Sequence, residues 1–160
     1  MSSVSALDLT TWLDAAVESI RDVAKNALFV DASGKPELQS EHPTQLMGSL
    51  ISLLGDADTV EMALCYPQPA DAQALGKALL MEEGDADLPN ADLVDALGEI
   101  ANMVGGGIKR RMNDTSPGLR LGLPLAVNGR VVAKRGGERL TALLPVGGNQ
   151  VLLVLWRYAN

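Results

Sequence analysis

The sequence predicts an α+β domain, a largely antiparallel sheet of about six strands with three helices packed on it. Residues 1–160 form one unit. Three observations carry this. Apolar residues recur at spacings of three and four in three separate segments, the period of an amphipathic helix. From residue 119 onward the pattern changes to period two, interrupted by glycine-containing turn signals. The composition is 47% hydrophobic and 21% charged over 160 residues, enough to bury one ordinary core, and only five residues are aromatic. That core is therefore built from Leu, Val, Ala, Ile and Met.

The first helix lies in "LDLTTWLDAAVESIRDVAKNAL", where Leu9, Leu13, Val17, Ile20, Ala24 and Leu28 make one apolar stripe. Residues 31–45 are polar, with glycine and two prolines, and read as a loop with at most an edge strand. "LMGSLISLLGDADTVEMALCYP" is two strands joined at "GDAD", with Val60, Met62, Leu64 and Tyr66 alternating. "PADAQALGKALLME" is a short helix with Pro69 near its start, where a missing N–H costs nothing. An acidic connection leads to the third helix, residues 91–112, with Asn90 as a candidate N-cap. The remainder reads as strands, "LRLGLPLAV-NG-RVVAKR-GG-ERLTALLPV-GGN-QVLLVLWRYA", and Asn128-Gly129 is the strongest hairpin signal in it. Val151 to Trp156 is apolar on both faces, which places it centrally in the sheet or at an interface.

Several function classes fall away on composition. One cysteine and one histidine exclude an internal disulfide and a Cys/His zinc site. Cys65, in a strand-like segment, reads as a small buried residue, and His42 sits in a polar loop with nothing nearby to make it a catalytic base. No run approaches the roughly 18 apolar residues of a membrane span, and "MSSVSALDLTTW" lacks the marks of a secretory signal, so a cytoplasmic location is expected. Net charge is −7, unevenly spread: residues 1–100 hold 18 acids and 4 bases, residues 101–160 hold 2 acids and 9 bases. The basic part has only Trp156 and Tyr158 to interleave with it, so neither nucleic acid nor membrane is expected as a partner. A dipolar surface is the plain reading, and steering of an acidic protein partner the sharper one.

The helix "ADLVDALGEIANMVGGGIKRRM" carries four glycines, each costing about 0.5–1 kcal/mol relative to alanine inside a helix. On a helical wheel Leu93, Leu97, Ile100, Val104 and Ile108 form an apolar stripe, with Ala96 and Met103 beside it. Asp92, Asp95, Glu99, Asn102, Gly106 and Lys109 form the opposite one. Glu99 and Asn102 are neighbours one turn apart and face solvent. Gly98 and Gly105 flank them and Ala101 lies beside them, so the surface there is low enough for a macromolecule to approach closely. Packing against the sheet is the competing use for Gly105 and Gly107. "GGGIKRR" is not a phosphate-binding loop, because it lacks the required Lys-Ser/Thr ending and follows a helix rather than a strand. Spacing alone describes Glu99 and Asn102 as an ordinary solvated helix face.

The flanking residues say more. Asp95-x-x-x-Glu99-x-x-Asn102, followed by Pro124 in "LGLPLAV", resembles the signature of the CheC/CheX/FliY phosphatases of bacterial chemotaxis. "DALGEIANMVGGGIK" is similar to the CheX branch over the whole helix. "WLDAAVESIRDV" resembles the first helix of that branch, and the order of elements agrees from end to end. CheC-type chains carry two such helices, whereas Glu99 is the only Glu here followed three residues later by Asn. Gly107 departs from the branch, which often has Asn there.

The resemblance implies a phosphatase acting on the phospho-aspartate of a CheY-like receiver domain. Asn102 would orient the attacking water and Glu99 would pair with the receiver's lysine. Asp95, Gly98, Gly106 and Lys109, on or beside the same stripe, are the candidate partner-binding residues. It implies no cofactor of the chain's own, with Mg²⁺ supplied by the receiver, and a homodimer. The alternative is a non-catalytic receiver-binding or flagellar-switch-like adaptor on the same fold.

Overall fold

The computed structural model describes residues 8–132 and 137–160. Helix α1 spans Leu9–Val23. The carboxylate of Asp8 accepts from the Thr10 N–H at its start, and a π-helical turn, Ala24–Leu28, continues it. Every member of the predicted stripe, from Leu9 to Leu28, is buried. Helix α2 spans Pro69–Leu80, with Pro69 in its first turn. Gln68 and Asp71 bond reciprocally to each other's backbone N–H at its start, which satisfies two donors the helix cannot. Helix α3 spans Asn90–Met112. Asn90 does not cap it: the cap is Pro89, whose extended backbone presents its carbonyl to Leu93 N–H at 2.9 Å, and Asn90 is already helical.

The strands are β1 (Glu37–Leu38), β2 (Gln45–Leu54), β3 (Asp58–Cys65), β4 (Arg120–Leu121), β5 (Leu125–Arg130), β6 (Glu138–Val146) and β7 (Asn149–Ala159). They form one seven-stranded sheet, with every pairing antiparallel, in the order β1-β6-β7-β3-β2. Strands β4 and β5 lie end to end along the outer edge of β2. The doubly apolar run is central, as β7 between β6 and β3. The count is seven where six are expected: the segment 119–127 is split into β4 and β5, and the edge strand β1 forms. The expected strand at 130–135 does not stand by itself, since Arg130 ends β5, residues 131–132 lie in no strand and 133–135 fall outside the described residues.

Asn128-Gly129 is not a hairpin. Both residues lie inside β5 and pair with Met47 and Leu46 of β2. A two-residue turn needs its flanking strands to pair with each other, and here the strand before it has a stronger partner elsewhere. The actual two-residue hairpin is Gly147-Gly148, joining β6 to β7 with φ of +57° and +81°. The expected turn at Gly136-Gly137 falls partly outside the described residues, since Gly136 is not among them.

All three helices pack on one face of the sheet. Ile51 and Leu53 of β2, Val60, Met62 and Leu64 of β3, and Leu153 and Leu155 of β7 point into this core. The other face carries a smaller cluster, Leu46, Ala63, Cys65, Val154 and Trp156, although no helix covers it. Residues 39–44 run across it from the β1 edge to β2: His42 Nδ1 lies 2.6 Å from Thr141 Oγ1, and Thr44 C=O accepts from Val131 N–H at 2.8 Å. Cys65 is buried there, and burial pushes its thiol up to about 12, so it is an inert packing group. Among the described residues no helix is long and apolar enough to cross a membrane.

The ladder along the outer edge of β2 is interrupted once. Leu121 opposes Leu53, and Leu125 opposes Leu50. Residues 122–124 therefore stand against only Ser52 and Ile51, one extra residue on the outer strand, which is a β-bulge. Gly122 N–H still donates to Ser52 C=O at 2.8 Å. Pro124 has no N–H to give, so the ladder breaks at Leu123-Pro124 and resumes at Leu125.

Candidate functional site

The α3 stripe divides as its spacing requires. Leu97, Ile100, Val104 and Ile108 are buried, and Leu93 is half-buried. Asp92, Asp95, Glu99, Asn102 and Lys109 are exposed. Two of the glycines serve packing. A Cβ on Gly105 would stand 2.8 Å from the side chains of both Ile51 and Leu121. A Cβ on Gly107 would collide with Ser19 of α1. The close crossing of α1 and α3 at this point is held by the Ser19 hydroxyl, which donates to the Val104 carbonyl at 2.7 Å, and by an ion pair between Arg111 and Asp22. Ala101 is likewise fully buried rather than beside the exposed pair. Gly98 is different: a Cβ there would meet nothing within 4 Å. The surface beside Glu99 is thus lowered by Gly98, while Gly105 and Ala101 belong to the core.

Glu99 and Asn102 line an open cleft of about 370 Å³. One wall is α3, with Val94, Asp95, Gly98, Glu99 and Asn102, and the other is the bulge, with Leu123 and Pro124; Ser49 of β2 and Ala126 of β5 complete it. Among the described residues neither Glu99 nor Asn102 has a hydrogen-bond or ion-pair partner, so both side chains are free to engage another molecule. The lining has two carboxylates, Asp95 and Glu99, and no Lys, Arg or His. Gly106 and Lys109 continue the same helical face beyond Asn102 and lie outside this lining. Among the described residues no group of three or more His, Cys, Asp or Glu is placed to hold a metal ion.

Four of the six residues singled out in the sequence, Asp95, Gly98, Glu99 and Asn102, therefore share one cleft, and Pro124, 22 residues after Asn102, faces them from across it. Sequence reasoning missed Ser49, Val94, Leu123 and Ala126. Leu123 had only its place before Pro124 to mark it. Ser49 and Ala126 reach the cleft through their pairing across β2 and β5, for which no local pattern exists.

An antiparallel sheet with three helices on one face, and an unpartnered Glu and Asn one turn apart beside a proline-containing bulge, defines an α+β domain with an open surface cleft. The model of the family described as chemotaxis phosphatase CheX matches residues 47–142, and the chain belongs to that family. No curated protein matches the chain in sequence. Among solved structures it is similar to the chemotaxis protein CheX from Vibrio vulnificus (20% identity, TM-score 0.75, covering 92% of this chain and 99% of that one). It is similar also to a chain of the CheX–CheY–BeF3–Mg²⁺ complex from Borrelia burgdorferi (20% identity, TM-score 0.65, 94% and 97%). The middle domain of FliM from H. pylori shares the fold at greater distance (10% identity, TM-score 0.60, 92% and 88%).

Proposed function

We propose that this chain is a phosphatase that hydrolyses the phospho-aspartate of a CheY-like receiver domain, with Asn102 orienting the water and Glu99 pairing with the receiver's lysine. The observation that carries the reading is the pairing of an unpartnered Glu99 and Asn102 on one cleft, in a chain of the CheX family. The Borrelia relative is recorded with CheY, beryllofluoride and Mg²⁺, which supports a receiver as partner.

The chemistry suits these side chains. An acyl phosphate is already activated, so a catalyst has chiefly to place water in line with the scissile P–O bond. The water oxygen bonds to phosphorus, the bond to the aspartyl oxygen breaks, and phosphate and a free carboxylate leave with the water's proton released. The Asn102 carbonyl accepts a hydrogen bond from the water, its NH2 can donate, and the amide needs no titration. Glu99, a carboxylate with no cation of its own, anchors α3 over the receiver's lysine. The cleft offers an anionic phosphoryl group two carboxylates and no cation. The neutralising charges must therefore arrive with the substrate, as the receiver's lysine and its Mg²⁺.

The test is phosphate release from a panel of phosphorylated receivers. Release that is lost in Asn102→Ala supports the reading. Binding without release would favour a receiver-binding adaptor of the kind the shared FliM fold suggests. A panel that is neither bound nor hydrolysed would reject both.

A further inference from the structure

We propose that Leu123 is the apolar anchor that seats the receiver on the cleft, inserting into an apolar recess beside the phosphorylated aspartate; this rests on the phosphatase reading above. Leu123 is 91% exposed, the most exposed of the large apolar side chains among the described residues. Isolated exposed leucines are common and need no function. This one differs in where it stands and how it is held. It lines the same cleft as Glu99 and Asn102, on the wall opposite α3.

Its backbone is pinned on both sides, by Gly122 N–H to Ser52 C=O and by the resumed pairing of Leu125 with Leu50. The extra residue of the bulge turns it out of the ladder, and Pro124 fixes its own φ and restricts the backbone of Leu123. A large apolar group is thus displayed on rigid backbone, so little order is lost when it is buried. Val94, 39% exposed on α3, supplies a second apolar group on the facing wall. An ion pair of Glu99 with a lysine is weak in water and becomes strong only when water is kept from it. Apolar contacts ringing a charged pair do this at interfaces. Leu123, Pro124 and Val94 are the groups placed to ring Glu99.

The receiver that answers in the panel is used for the test, both phosphorylated and as its beryllofluoride–Mg²⁺ form. Leu123→Ser should raise KM and weaken binding of the beryllofluoride form by about tenfold or more, the loss expected for one leucine side chain no longer buried. Its kcat should stay within about twofold, because Asn102 is untouched. Leu123→Met, which keeps an apolar side chain, should restore most of the affinity. Leu38→Ser removes another exposed leucine, 61% exposed on β1 and outside the cleft, and should leave both constants unchanged. Wild-type KM in Leu123→Ser, or an equal rise in Leu38→Ser, overturns the anchor while leaving the phosphatase reading intact. If the receivers bind without being hydrolysed, the affinities alone decide. If no receiver binds the wild-type protein, the anchor and the reading fall together.

Discussion

At position 102 the whole proposed catalytic contribution is one amide. Asn102 is exposed and bonds to no described residue, so Asn102→Ala should leave the unfolding midpoint within a degree or two and still lower dephosphorylation by about 100-fold or more. Thermal unfolding and phosphate release on the same preparation check this, and wild-type turnover by a folded Asn102→Ala protein would remove the role. Glu99 acts through binding. Glu99→Ala should weaken the receiver complex by about 2–5 kcal/mol, the usual cost of truncating one partner of a desolvated charge pair. Calorimetry with the beryllofluoride form measures it, and an unchanged affinity would show that Glu99 stays in water.

Three of the four glycines of α3, Gly98, Gly105 and Gly107, separate into uses that only their neighbours define. Gly98→Leu adds a side chain into open space and replaces a poor helix former, so stability should rise by roughly 0.8–1 kcal/mol while activity falls, because the new group stands in the cleft. Gly105→Leu should do the opposite, losing about 1–3 kcal/mol by driving into Ile51 and Leu121. Denaturant titration of both variants, with an activity assay on the folded fraction, tests the division. A destabilised but fully active Gly98→Leu would place Gly98 in the fold's service instead. The helix itself was legible because its stripe of Leu97, Ile100, Val104 and Ile108 is a local period. The identical letters Gly98 and Gly105 could not be told apart without knowing which of them meets β2. For the same reason Asn128-Gly129 misled and Gly147-Gly148 did not. Turn chemistry is local, but whether the flanking strands pair with each other is decided by competition among all strands, and β2 takes β5.

On the scale of the molecule, one sheet face is covered by helices, and on the other His42 meets Thr141 of β6. Burial, and then the Arg139 guanidinium beside it, hold the His42 pKa below its ordinary 6.5. The unfolded chain therefore binds a proton first as pH falls, so this contribution to stability is present above the ordinary value and is lost on acidification through the folded one. Unfolding free energy should decline as pH falls below about 6.5, and His42→Gln should flatten that part of the profile in denaturant titrations. An unchanged slope in the variant would assign the decline to carboxylates. What the sequence by itself determined was the α+β class, three helices, most strands, and the polar face of α3 that carries Asp95, Glu99 and Asn102 with Gly98 beside them. Each of those rests on residues a few positions apart, and short-range periodicity dictates which of them share a face. Only the tertiary structure decided that a bulge at Leu123-Pro124 forms the opposing wall, that Ser49 and Ala126 complete the cleft, and that His42 meets Thr141 on the far face. Those relations join segments tens of residues apart through strand register, which is set by the best packing of the whole sheet and leaves no local mark.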